Sequence, residues 1–233
     1  VTRSLFVTAT GTGCGKTWVS RGLLRALRRR ELRVAGLKPL ETGVDREPLD
    51  ALALARAADR PGLANLPGLV RARSPVSPLA ATLSGELPPI DLSALVATLR
   101  HAASDSDVAL AEGAGGLLVP LTPEATTAEL AAELGWPLVL IARDALGTLS
   151  HTLSALESAA RRDLPVAAVV LTRGPWSERD PSVDTNAEIL RARTHAPVCV
   201  FPSTRDDDDA LADAAEPLLP VLFGALLRSL LGS

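Results

Sequence analysis

Cysteine is almost absent. Cys14 and Cys199 lie far apart and lack the close spacing of metal ligands, which argues against a disulfide framework and against a zinc site. No apolar run reaches the roughly 18 residues of a membrane span, and Arg3 is followed by only a short apolar stretch. Neither a membrane helix nor a secretory leader is therefore expected, and the expected setting is the reducing cytoplasm. Charge of one sign is not in excess: the formal net charge is −3, which gives no general footprint for nucleic acid or an anionic membrane. Lysine is scarcest among the charged residues. Lys16 and Lys38 are the only two, and every other fixed cation is arginine.

Apolar residues make up 47% of the 233, enough for a sizeable core. Strand-like runs recur at Ser4 to Ala9, Arg33 to Lys38, Val108 to Glu112, Pro137 to Ala142, Pro165 to Leu171 and Pro197 to Phe201. Several are apolar at consecutive positions, as in strands buried on both faces of a parallel sheet. Helical patterns alternate with them: Lys16 to Arg30, Asp50 to Ala58, Leu92 to Ala103, Thr127 to Leu134, Thr148 to Arg162, Pro181 to Arg193, and a last one from about Asp207 to Leu231. Alternation of this kind predicts an α/β fold, a doubly wound and mostly parallel sheet with helices on both faces. No internal repeat or linker divides the chain, so one domain over residues 1–233 is expected. The stretch from Arg60 to Pro89, with six prolines, reads as an excursion with short helical turns. Arginines between Arg21 and Arg33 read as the solvated face of one helix. The acids Asp206 to Asp209 read as a helix cap rather than a metal cluster.

The stretch "TATGTGCGKT", residues 8–17, follows a strand and opens a helix. Gly11, Gly13 and Gly15 free the backbone to turn N–H groups inward, and the helix start adds a favourable field for anions. Lys16 can reach terminal phosphates, and the Thr17 hydroxyl can ligate Mg²⁺. The first glycine is displaced by one residue from the common phosphate-loop spacing, since Thr10 stands where it would fall. This is a P-loop domain by pattern, with Cys14 read as a small space-filling side chain inside the loop. "VALAEGAGG" ends a buried strand in Glu112, and "GLKPLETG" ends another in Lys38. Both residues fall on the sheet edge where ligands bind. Compact lysine charges at such sites suit a transferring phosphoryl group. Asp50, read by itself, looks like an ordinary helix cap.

Taken together, these stretches resemble the dethiobiotin synthase family over most of the chain and in the same order. "FVTATGTGCGKT", "AGLKPLETG", "DALAL", "SPVSPLAA", "VALAEGAGGLLVPL" and "LGTLSHTLSAL" carry the resemblance. It implies ATP- and Mg²⁺-dependent carboxylation of 7,8-diaminopelargonate with CO₂ (or bicarbonate) and closure of the ureido ring, through a carbamate and a carbamic–phosphoric anhydride. By the same resemblance Lys16, Lys38 and Thr12 would be catalytic, and Thr17, Asp50 and Glu112 would hold Mg²⁺. The nucleotide would be held by Gly13, Cys14, Gly15, Lys16 and Thr17 at the phosphates, by Trp18, and by Thr172 and Pro202 near the base. The diamine and its carbamate would meet Thr12, Lys38, Thr42 and Gly115, with Leu149, Ser150 and His151 at a homodimer interface receiving the substrate carboxylate. No catalytic histidine is implied. The chain departs from the family at Ala9 and Gly11 in the loop, at Ser150 in place of an Asn, and at Thr172 in place of an Asn that reads the adenine edge. ATP is the expected nucleotide, with a relaxed base preference as the alternative. Two other readings fit the same loop: a nucleotide-switched regulatory ATPase, and a degenerate paralogue that binds nucleotide without closing a ring.

Overall fold

The consecutive apolar runs become parallel strands. A computed structural model, which describes residues 3–174 and 180–231, opens with β1 (Arg3–Ala9), α1 (Lys16–Arg28) and β2 (Val34–Leu37). Next come β3 (Leu40–Thr42), α2 (Leu49–Ala57), β4 (Val70–Ala72), α3 (Pro78–Leu83) and α4 (Leu92–Ala103). The second half alternates strictly: β5 (Val108–Glu112), α5 (Thr127–Leu134), β6 (Leu138–Arg143), α6 (Thr148–Ala160), β7 (Val166–Thr172), α7 (Asn186–Arg193) and β8 (Val198–Phe201). Helices α8 (Asp208–Ala215) and α9 (Leu219–Leu231) follow.

Six strands form one parallel sheet in the order β2-β5-β1-β6-β7-β8. All six predicted strands are in it. Every residue of β5 is buried, as the unbroken apolar run required. One apolar layer lies against α1, α8 and α9, and a second against α2, α4 and α5. The chain departs in opposite directions from the two sides of β1, so its C-terminal end is the point where strand order reverses. Register then does the positioning: Leu37 of β2 pairs with Ala111 of β5, and Val7 of β1 with Glu112. Lys38, Glu112 and the glycine-rich loop therefore leave three adjacent strands at one edge.

Three local features were not legible from periodicity. The proline-rich excursion has the short helical turns expected, at Pro61–Asn65 and in α3, but it also contains strand β4, which pairs with β3 as a small parallel sheet. The last predicted helix is interrupted by a 3-10 turn at Glu216–Leu218. Pro217 explains the break, because it lacks an N–H and its ring clashes with the preceding turn. Third, the arginine face of α1 is not simply solvated. Arg21 lies 2.6 Å from Asp206 and 2.8 Å from Asp208, Arg29 lies 2.6 Å from Asp213, and Arg25 lies 2.9 Å from Asp59. The acidic run caps α8 as expected, through Asp207 accepting from the Ala210 amide, and its other members pair with α1. Asp208 to Arg228 is the described stretch long and apolar enough to cross a membrane by length and composition. Here Leu211, Ala215, Leu219 and Phe223 of that stretch are buried in the core layer beside α1.

Candidate active site

The loop after β1 turns on glycine. Gly13 and Gly15 have φ of 72° and 86°, a region that side chains with a Cβ rarely occupy. Gly15 caps α1, and no side chain occupies that helix end. A glycine there adds no capping side chain, and the start of a helix favours an anion. Beneath the loop, the Thr172 hydroxyl at the end of β7 donates to the Cys14 carbonyl at 2.7 Å. A Cβ on Gly15 would sit 3.3 Å from the Thr172 side chain, so loop and strand end are in close contact. Lys16 is buried, and its Nζ donates to the Gly11 carbonyl at 3.3 Å.

Glu112 is the hub. Its Oε1 accepts from the Thr17 hydroxyl at 2.9 Å and from Lys38 Nζ at 2.7 Å. Lys38 Nζ also lies 3.3 Å from Asp50 Oδ2 and donates to the Gly113 carbonyl at 3.3 Å. Asp50 is not the helix cap that its position suggested: the cap residue is Pro48, and the Asp50 carboxylate turns to Lys38. The two lysines are pushed in opposite directions. Burial holds the Lys16 ammonium below its usual range, and Lys38 nearby adds to that, against the pull of Glu112. Burial also opposes the charge on Lys38, but Glu112 and Asp50 outweigh it and raise its pKa.

Glu112 Oε2 is buried and has no hydrogen-bond partner, an expensive state for a carboxylate oxygen in a native protein. The unused oxygen, the Thr17 hydroxyl and the Asp50 carboxylate are hard oxygen donors. Among the described residues no group of three or more His, Cys, Asp or Glu side chains converges. A sparse oxygen set of this kind fits Mg²⁺, which takes its remaining positions from water and phosphates. A cleft of about 560 Å³ opens above the hub. Of the residues singled out from sequence, it brings together Thr12, Gly13, Gly15, Lys16, Thr17, Trp18, Lys38, Thr42, Asp50, Glu112 and Gly115.

Comparison with known proteins gives the same direction. A family model described as an AAA domain matches residues 3–206. The ATP-dependent dethiobiotin synthetase BioD of Anaeromyxobacter sp. (strain K) is 46% identical over 206 residues, covering 86% of this chain and 90% of the relative. That of Caulobacter vibrioides (strain NA1000 / CB15N) is 40% identical over 199 residues, covering 83% and 89%. The chain belongs to the ATP-dependent dethiobiotin synthetase family. Among solved structures, the cell division ATPase MinD of Pyrococcus furiosus aligns with a TM-score of 0.55 at 17% identity, covering 94% of this chain and 98% of that one. A ParA family ATPase from Chlorobium tepidum TLS aligns with a TM-score of 0.51 at 15% identity, covering 97% and 93%. These likenesses show the shared P-loop fold.

Several positions that the dethiobiotin synthetase resemblance singled out lie outside the main cleft. Cys14 is buried under the loop. Thr172 is buried with its hydroxyl committed to the loop carbonyl, while Pro202 is exposed just after β8. His151 lines a second cleft of about 420 Å³, on the other flank of the loop, which also touches Thr12. Leu149 is half-buried and Ser150 exposed in the first turn of α6. The cleft also has walls that sequence reading missed: Leu40, Glu41 and Ala114. Glu41 sits inside the quoted "KPLETG", so its position was available, but nothing in the pattern marked it.

Proposed function

We propose that this chain, acting as one P-loop α/β domain, is a dethiobiotin synthetase that carboxylates 7,8-diaminopelargonate and closes its ureido ring with cleavage of ATP. The observation that carries this reading is that Lys38 and Thr17 meet on Glu112 in a cleft that Lys16, Thr12 and Thr42 also line. One substrate amine adds to CO₂, forming an N–C bond and losing a proton to water. The carbamate oxygen attacks the γ-phosphorus, and the bridging P–O bond breaks to release ADP. The second amine then attacks the carbonyl carbon of the carbamic–phosphoric anhydride. A second C–N bond forms, the C–O bond to phosphate breaks, and a further proton leaves.

Neutral amines need no strong base, so the work is positioning and charge neutralisation. Lys16 would hold charge on the γ-phosphoryl group, and Lys38 charge on the carbamate. The Thr12 and Thr42 hydroxyls would orient the carbamate and diamine beside Gly115. Backbone amides from Gly13 to Thr17 would hold the phosphates. Thr17, Asp50 and Glu112 would hold Mg²⁺, which when bound neutralises the phosphate charge. A cytoplasmic homodimer is part of the proposal, with Leu149, Ser150 and His151 near the interface receiving the substrate carboxylate. Its support is the second cleft shared by Thr12 and His151, which the exposed Leu118 also lines.

The test is phosphate release with MgATP and bicarbonate, with and without 7,8-diaminopelargonate, alongside mass detection of dethiobiotin and parallel runs in CTP and GTP. Diamine-dependent release that matches dethiobiotin is expected. Nucleotide binding without diamine stimulation would overturn the reading in favour of a switch or a degenerate paralogue.

A further inference from the structure

Glu41 is buried although it lines the cleft, and each of its carboxylate oxygens accepts from a backbone amide. Oε1 accepts from the Asp50 amide at 2.9 Å, and Oε2 from the Ala51 amide at 3.0 Å. These are first-turn amides of α2, the groups that a helix normally satisfies with its own cap residue. The cap residue here is Pro48, which has no side-chain acceptor. Glu41 supplies the cap from another element, β3, three residues beyond Lys38. The same segment is held from its other end by Arg71 of β4, whose guanidinium donates to the Lys38 carbonyl at 3.0 Å and the Ala64 carbonyl at 3.0 Å. A local cap would close the helix equally well. Only a remote one links the start of α2 to the strand end that bears Lys38.

We infer that Glu41 is a positioning residue for the proposed reaction: by tying β3 to the first turn of α2 it sets where the Asp50 carboxylate stands relative to Lys38 and Glu112. The inference rests on the proposed role of Asp50 in holding Mg²⁺. Both Glu41 oxygens are engaged with amides, so Glu41 acts through Asp50 and not on the metal or substrate itself.

The test compares Glu41→Ala, Glu41→Gln, Asp50→Ala and the double variant Glu41→Ala/Asp50→Ala. Mg²⁺ is titrated calorimetrically into each protein in the presence of ADP, and melting temperature and turnover are measured alongside. Glu41→Ala should raise the half-saturating Mg²⁺ concentration by about tenfold or more. Glu41→Gln, which keeps one acceptor and guards against an unfolded Ala variant, should give a smaller rise. The double variant should bind Mg²⁺ no worse than Asp50→Ala alone, because the two residues act as one unit. Adding Pro48→Ser to Glu41→Ala supplies a local cap. It should restore melting temperature while leaving the Mg²⁺ shift in place. Recovery of Mg²⁺ binding by that cap would reduce Glu41 to a helix cap and overturn the inference. So would a double variant weaker than Asp50→Ala, which would make Glu41 a ligand. Normal Mg²⁺ binding in Glu41→Ala beside a weakened Asp50→Ala would overturn the inference alone. An unchanged titration in Asp50→Ala would overturn the assignment of Asp50, and with it anything for Glu41 to position.

Discussion

Replacing Lys38 with methionine keeps an apolar stem and removes one buried charge. In the parent, Nζ lies 2.7 Å from Glu112 and 3.3 Å from Asp50. Without it, Glu112, whose side chain is 1% exposed, keeps the Thr17 hydroxyl as its one hydrogen-bond partner among the described residues. Removing one partner of a buried pair costs about 3–5 kcal/mol. The lower end applies here, because the Asp50 side chain is 44% exposed and water can take over that contact. At roughly 2–4 °C per kcal/mol for a chain of this size, a loss of about 3 kcal/mol lowers the melting temperature by about 6–12 °C. That deficit belongs to the metal-free protein. A divalent cation held by Glu112 and Asp50, as proposed, would supply the missing positive charge, so saturating Mg²⁺ should narrow it. The parent gains less, since its lysine already neutralises the same carboxylates. The assay is a thermal melt of both proteins in EDTA and in saturating Mg²⁺, followed by phosphate release. Turnover should fall by about 10²–10³-fold, with nucleotide affinity in excess Mg²⁺ little changed. Equal melting temperatures in EDTA, or an equal Mg²⁺ gain in both proteins, would refute the reasoning that lysine and metal serve the same carboxylates.

Three further outcomes are expected. Thr172→Val removes the hydroxyl that supports the Cys14 carbonyl, at a cost of about 1–2 kcal/mol. It should weaken ATP, CTP and GTP by the same several-fold factor, and a loss confined to one base in competition assays would show that Thr172 reads the base. Gly22→Ala would place a Cβ 2.5 Å from the Leu211 carbonyl oxygen, where α1 and α8 touch, and overpacking of this kind costs about 1–3 kcal/mol. A melting temperature within about a degree of the parent would sink that expectation. Partial burial pushes the Glu129 carboxyl up, but hydrogen bonds from Arg162 and Thr126 win and lower its pKa from 4.5 to about 2. Its stabilisation is therefore present above pH 4.5 and lost as pH falls towards 2. Discounted for a side chain 35% exposed, it amounts to about 1 kcal/mol. The stability gap between the parent and Glu129→Gln, from urea melts, should shrink across that window, and a constant gap would contradict it.

The sheet was legible because burial on both faces writes an unbroken apolar run, as in Val108–Glu112. Lys38 and Glu112 could be read as neighbours in function before any geometry, since both follow buried strands. Register then explains why they touch. The small β3–β4 sheet was not legible: three-residue strands are shorter than any periodicity can show, and one lies in a proline-rich stretch. The break at Pro217 was written in the sequence and outweighed by the apolar pattern around it. Thr172 teaches a different lesson. Its position in the family pattern pointed to the base, whereas its hydroxyl lies under the loop, because a short side chain at the end of β7 finds the Cys14 carbonyl first.

Asp50 marks the limit of local reading. Its sequence neighbourhood describes a helix start and nothing more, and a residue there would ordinarily cap its own helix. What turns its carboxylate into the cleft is a division of labour across the chain. Glu41 takes the amides of Asp50 and Ala51 in the first turn, while the Asp50 carboxylate meets Lys38. Such an exchange leaves no periodic trace, because the partners sit on a strand and on a helix joined by an irregular loop. A sequence pattern records which residues share an element. The site depends on which element satisfies another element's backbone, and that is decided only when the sheet edge has closed.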